Sequence, residues 1–257
     1  MGLSQRAIKE LRGLRQKKLR QAQGRFIIEG ARLVTEALQS LADIEQVLLS
    51  PEFARSASGH DIESLALARG VNPESVTTTQ ADQLADTRHP QGVFAVVKTP
   101  PLDHQDDQPP RTPILILDGI ADPGNLGTLL RTADWFSVPT VWVSSSSADA
   151  LNPKVVRAGM GAHFHIPILR QLDISVLADT IFDTGVVLVG AVMDGKPLDQ
   201  VEVKDDRWAL VIGSEAHGLS PYWKERLHEA VTIPGNGQAE SLNAAVAAGI
   251  ILHYFCG

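Results

Sequence analysis

The chain has 257 residues, 44% of them hydrophobic and 21% charged, with a formal net charge of −7. Such a composition supplies apolar material for one or two globular domains, which excludes whole-chain disorder. The single cysteine, Cys256, excludes an internal disulfide framework, no apolar run reaches the roughly 18–20 residues of a membrane span, and the basic N-terminus lacks the apolar stretch of a secretory signal, so a cytoplasmic protein is expected.

The charge is unevenly spread. Residues 1–32 hold nine Lys/Arg and two acids, a charge of +7 against −14 for the rest. A basic stretch over about residues 4–22 predicts a helix whose charges either track a polyanion or form a solvated face. Phe26 to Ile28 follows as a strand, Ala31 to Leu41 as a helix, Val47 to Leu49 as a strand, residues 61–69 as a helix and Gly92 to Lys98 as a closing strand. Five prolines between Pro100 and Pro113, with His104 and three Asp among them, exclude helix and central strand there, and mark a linker over 101–113 between domains at 1–100 and 114–257. Beyond it, Ile114 to Leu117, Thr140 to Val143, Val186 to Val189 and Ala209 to Ile212 are short continuous apolar runs, which suit parallel strands covered on both faces. Both halves therefore read as α/β.

Ligands of open α/β sheets sit beyond the carboxyl ends of strands, so the loops there carry the search for function. In the first, Asp118 to Arg131, Asp122 can cap a helix with Pro123 at its first position; Leu126, Leu129, Leu130 and Ala133 fall on its buried face and Arg131 falls off it, free to meet a phosphate or to remain a surface charge. In the second, Gly213 to Pro221, the glycines permit a tight turn around Glu215, a carboxylate able to bind a cation or hydroxyl or to cap and pair structurally. The third runs from Thr232 through Gly235 and Gly237 to Ser241, read as a helix N-cap, and on to Asn243. The helix after it is apolar all round, as in a core or a subunit interface. No G-x-x-x-x-G-K-[ST], strand-borne G-x-G-x-x-G or G-x-S-x-G is present, and His163 and His165 are too sparse for a zinc site.

Taken together, Asn125-x-Gly127-x-x-x-Arg131, Gly213-x-Glu215-x-x-Gly218, and Ile233-Pro234 with Ser241-Leu242-Asn243 resemble the three motifs of the SpoU (TrmH) family of RNA ribose methyltransferases, in the SPOUT superfamily. Residues 1–100, with Phe26 to Gly30 and Gly92 to Val96, resemble the L30e-like substrate-binding domain often fused ahead of it. The resemblance implies a SPOUT α/β domain with a deep trefoil knot, a homodimer through that domain, S-adenosylmethionine (SAM) as methyl donor with no metal, and a 2′-O-methylribose in RNA as product, rRNA favoured over tRNA. By position it implies that Val192, Gly213, Ile233 and Leu242 line the cofactor pocket. It also implies that Arg131 acts on the ribose, with Asn125, Glu215, Ser241 and Asn243 around it. A guanidinium is a poor base, so binding a phosphate and stabilising the developing alkoxide suits Arg131 better. Arg6, Lys9, Arg12, Arg15, Lys17 and Lys18 are the candidate RNA contacts of the N-terminal stretch. Lys154 and Arg157 join them from a segment that resembles one where the family often has Ser in place of Gly159. The competing function is a non-enzymatic RNA-binding or ribosome-assembly protein that keeps the fold.

Overall fold

The computed structural model describes residues 2–100, 111–173, 181–182, 184–203 and 207–256. They form two compact units, one from 2–100 with 151–164, the other from 111–150 with the described part of 165–256. Most of the proline-rich stretch, residues 101–110, lies outside the described residues.

In the first unit a four-stranded sheet has the order β1 (Arg25–Glu29), β4 (Val93–Lys98), β2 (Ile44–Leu49), β3 (Glu74–Ser75), with β4 antiparallel to both neighbours. Alternation along β4 divides its side chains between two cores. Val93, Ala95 and Val97 join Phe26, Ile28, Val47 and Leu49 against helices α3 (Ala31–Gln39) and α5 (Ala57–Ala68). Phe94 and Val96 join Ile27 and Leu48 against α1 (Gln5–Gly13) and α6 (Thr78–Leu84). The short α4 (Pro51–Ala54) leads into α5.

Where the basic stretch predicts one helix, the structure has two, α1 and α2 (Lys17–Gln23). The break has a local cause. Arg20 is buried, and its Nη1 donates to the carbonyls of Leu14 at 2.8 Å and Arg15 at 2.7 Å, satisfying groups that a continuous helix would keep for itself. The helix α6 has no counterpart in the sequence reading, although Thr77 and Gln80 form a reciprocal capping box there.

The second unit is a six-stranded sheet in the order β10-β8-β9-β5-β6-β7, every pairing parallel. Its strands are β5 (Ile114–Asp118), β6 (Thr140–Ser144), β7 (Ile168–Leu172), β8 (Val187–Pro197), β9 (Trp208–Gly213) and β10 (Glu229–Thr232). β5 and β6 are buried at every residue, as the continuous apolar runs require when both faces are covered. β7 and β10 have no counterpart in the sequence reading, because their apolar runs are short and mixed with charge, as at Arg170 and Glu229. Helix α7 (Pro123–Trp135) starts as expected: the Asp122 carboxylate accepts from Asn125 N at 2.8 Å, and Leu126, Leu129, Leu130 and Ala133 are fully buried. Between β6 and β7, residues 151–164 pack with the first unit. Helix α8 (Pro153–Gly159) lies on β1, and Leu151 and Val156 enter the core under α3.

The chain then forms α9 (Pro221–Lys224) and α10 (Ala244–Cys256). α10 buries Ala245, Ala248, Ile251 and Leu252 and leaves Val246, Ile250 and Tyr254 exposed along one face. Among the described residues, no helix is long and apolar enough to cross a membrane.

Candidate active site

Two of the three loops leave the sheet side by side because their strands are neighbours. Asp118, the last residue of β5, stands opposite Gly213, the last residue of β9. The third loop follows β10 and ends at Asn243, the residue before α10.

Asn125, in the first turn of α7, ties all three together. Its Nδ2 donates to Glu215 Oε1, and its Oδ1 accepts from Asn243 Nδ2 at 3.0 Å. A carboxylate can only accept, so it fixes which way the Asn125 amide faces, and that in turn presents an oxygen to Asn243. Asn243 uses its own oxygen to accept from Ala245 N at 2.9 Å and Val246 N at 3.3 Å. The cap of α10 is therefore Asn243 and not Ser241. The Asn243 amide caps through its oxygen and donates through a separate nitrogen, so one side chain holds both the start of α10 and Asn125. Ser241 and Leu242 are exposed, and Ser241 has no part in the chain of bonds that joins the other motif residues.

The Glu215 loop is a closed turn. Ser214 N donates to Gly218 O at 3.1 Å and Gly218 N to Ser214 O at 2.8 Å, while Ser214 Oγ accepts from the amides of Ala216 and His217. A Cβ on Gly213 would lie 2.3 Å from the Gly218 carbonyl carbon and 2.4 Å from Leu219 N, so only glycine lets the end of β9 lie against this turn. At the far end of the turn, the buried Asp118 carboxylate accepts from Ser220 N at 2.9 Å. The sequence reading places Asp118 at the start of the first loop and gives it no role; that role shows only once β5 and β9 are neighbours.

Arg131 lies off the buried stripe of α7, exposed, and forms no hydrogen bond or ion pair among the described residues. A guanidinium carries five donors for an anion. Of the residues expected to line a cofactor pocket, Gly213 ends β9, Val192 lies on β8 two residues beyond the Gly190–Val211 pair, and Ile233 follows β10; Val192 and Ile233 are half-buried, and Leu242 is 48% exposed. Elsewhere in this unit, burial pushes the Arg170 guanidinium below its ordinary pKa, with Asp149 acting against that shift. His165 Nδ1 lies 2.9 Å from Asp134 Oδ2, and the described residues hold no group of three or more His, Cys, Asp or Glu arranged for a metal ion.

The candidate RNA contacts of the first unit divide in two. Arg6, Lys9 and Arg12 on α1, Lys17 and Lys18 on α2, and Lys154 on α8 are exposed. Arg15 and Arg157 instead converge on Asp86. Arg157 Nη1 lies 2.8 Å from one carboxylate oxygen and Arg15 Nε 3.8 Å from the other, and Arg15 Nη2 also donates to Leu84 O at 2.7 Å and to Ala85 O.

Residues 112–253 match the model of the SpoU rRNA Methylase family. The chain belongs to this family. As a SpoU methylase, it is an enzyme that methylates RNA. Residues 5–95 match the MRM3-like substrate binding domain. The 23S rRNA (guanosine(2553)-2′-O)-methyltransferase RlmP of Bacillus subtilis is 33% identical over 251 residues, 97% of this chain and 96% of that protein. Among solved structures, the AdoMet-bound rRNA methyltransferase of Sinorhizobium meliloti is 28% identical with a TM-score of 0.84, over 99% of this chain and 95% of that one. The SpoU methyltransferase AviRb of Streptomyces viridochromogenes, in complex with AdoMet, is also 28% identical with a TM-score of 0.84, over 98% and 97%. The parallel sheet of the second unit is thus the α/β sheet of SPOUT methyltransferases.

Proposed function

We propose that this SpoU methylase transfers the methyl group of SAM to a ribose 2′-hydroxyl of RNA, with 23S-type rRNA the favoured substrate over tRNA. The observation that carries the proposal is the Asn243–Asn125–Glu215 chain, which joins all three family motifs within hydrogen-bond distance on the helix that presents an unpaired Arg131. Support for rRNA comes from the name of the B. subtilis relative, similar over nearly the full length of both chains.

The cofactor wall fits the donor. Gly213 offers backbone in place of a side chain, and Val192, Ile233 and the exposed Leu242 offer apolar surface for an adenosyl group. When bound, SAM supplies an electrophilic methyl on a sulfonium. Arg131 holds the phosphate beside the target ribose and stabilises negative charge as it develops on the 2′-oxygen. Asn125 and Asn243 hold the Glu215 loop and the start of α10 in one geometry, so that the oxygen approaches in line and positioning supplies much of the rate. Ser241 contacts the ribose from the loop ahead of α10. The reaction uses no metal. The exposed apolar face of α10 is the seam of a homodimer, the loops around β9 and β10 form a trefoil knot, and the protein works in the cytoplasm. The first unit, an L30e-like fold, holds RNA on Arg6, Lys9, Arg12, Lys17, Lys18 and Lys154.

Labelled methyl transfer from SAM to total rRNA and total tRNA, both from cells lacking the protein, tests the proposal. A 2′-O-methylnucleoside in the rRNA pool, identified by mass spectrometry, is the expected product. Absence of label in both pools together with absence of SAM binding would replace the enzyme with the non-enzymatic RNA-binding alternative.

The RNA surface is tested separately. Deleting α1 would take Ile8 and Leu11 out of a core and uncover Leu14, Phe94 and Val96 beside them, so charge must be removed without the helix. Replacing Arg6, Lys9 and Arg12 together by Gln should weaken RNA binding and make the slope of log K against log salt shallower by about two, from roughly 0.7 released counterions per contact on single-stranded RNA. An unchanged slope returns α1 to a solvated face.

A further inference from the structure

The run Ser144 to Ser147 looks like low-complexity filler in the sequence, yet it holds the loop on which the reaction depends. β6 lies beside β5 with Leu117 opposite Val143, so the serines that follow β6 face the loop that follows β5. Gly119 N donates to Ser144 Oγ at 2.9 Å, and Ile120 N donates to Ser147 Oγ at 3.0 Å. Ala148 N returns a bond to Ile120 O at 2.8 Å, and Ser147 Oγ reaches Leu117 O at 3.2 Å. Ser144 Oγ, in a buried residue, also lies 2.9 Å from both Ser146 Oγ and Ser147 Oγ.

Proton counting fixes the direction of this network. Each hydroxyl donates once, and a backbone carbonyl only accepts. Ser147 therefore gives its proton to Leu117 O, Ser144 gives its proton to Ser147, and Ser146 gives its proton to Ser144. Every bond is then made, and none competes with another. The result is a brace on residues 117–120, the segment that ends three residues before the first turn of α7, where Asn125 sits. The same segment carries Asp118, which holds the far end of the Glu215 turn through Ser220 N. One loop thereby sets the positions of both Asn125 and Glu215.

We propose that Ser144 and Ser147 are positioning residues for methyl transfer, acting through the backbone of Gly119 and Ile120 rather than on the substrate. The proposal rests on the methyltransferase function proposed above. Removing the Ser147 hydroxyl orphans Ile120 N and breaks the direction of the chain, while the surrounding core is untouched: Ile120 itself remains fully buried.

The test compares Ser147→Ala with Ser147→Thr, which keeps the hydroxyl, in single-turnover methyl transfer to rRNA with SAM and RNA affinities measured alongside. Ser147→Ala should lower the turnover rate about tenfold and leave both affinities within twofold, and Ser147→Thr should recover most of the rate. Ser144→Ala, measured in the same way, should lower the rate at least as much. A wild-type rate in Ser147→Ala, an equal fall in Ser147→Thr, or a loss confined to affinity would overturn the positioning role. Wild-type protein that transfers no methyl at all would instead overturn the function on which the proposal stands.

Discussion

Arg131→Ala should reduce methyl transfer by about 10²–10³-fold while SAM affinity stays within twofold of wild type, the loss typical of deleting one preorganised donor from a developing oxyanion. The direction follows from where Arg131 stands. It lies off the buried face of α7, so its removal takes no apolar contact from the core, and it holds no partner among the described residues whose loss would disturb the fold. The side chain is free to serve a ligand, and its fixed charge suits a phosphate or an alkoxide and not a proton acceptor. Arg131→Lys should recover only a small part of the rate, because one ammonium cannot reproduce the planar fork that meets two oxygens at once. Single-turnover rates and calorimetric SAM binding on both variants decide the matter. Near-normal turnover in Arg131→Ala would remove it from the reaction; lost SAM binding would move it into the cofactor site.

The parts of this fold that were legible in sequence are those with one dominant local signal. The runs Ile114 to Leu117 and Thr140 to Val143 are uniformly apolar, which suits strands covered on both faces, and β5 and β6 are buried throughout. The start of α7 was equally plain, because Asp122 and Pro123 precede a 3.6-residue apolar stripe. The family motifs gave the residues Asn125, Glu215 and Asn243, but not the bonds between them, since 90 and 118 residues separate the paired positions.

What stayed hidden was set by neighbours in space. Arg20 looks like any surface cation until the carbonyls of Leu14 and Arg15 need its donors. Nothing in the sequence shows that Arg15 and Arg157 share the Asp86 carboxylate. Ser144 and Ser147 acquire a role only because β6 pairs with β5. Ser241 was favoured as a cap by residue type alone, and Asn243 takes the position because it also has to reach Asn125.

Gly213→Ala should weaken SAM binding and lower turnover together, in contrast to the turnover-only loss at Arg131. The added Cβ would stand 2.3–2.4 Å from three backbone atoms of Gly218 and Leu219, and backbone in a closed turn cannot rotate aside as a side-chain tip can. The turn is pinned by both Ser214–Gly218 bonds and, beyond them, by Asp118 on Ser220 N. The strain therefore has to move the end of β9 or open the turn, at about 1–3 kcal/mol for the overpacking. Either movement shifts Glu215 away from Asn125 and the proposed cofactor wall away from β8, so the expected loss of SAM affinity is at least about thirtyfold, about 2 kcal/mol at 1.4 kcal/mol per decade. Gly237→Ala is the steric control: no atom lies within 4 Å of its Cβ position, and its melting temperature should match wild type. Leu242→Ala separates a damaged pocket from a damaged fold. Leu242 is 48% exposed, so its truncation should leave melting unchanged and still weaken SAM binding about tenfold if it covers the adenosyl group. SAM affinity at the wild-type value in both Gly213→Ala and Leu242→Ala would place the cofactor elsewhere on the sheet. Weakened binding in both, with only Gly213→Ala lowering the melting temperature, is the pattern that a pocket built on the backbone of β9 and roofed by the loop before α10 requires.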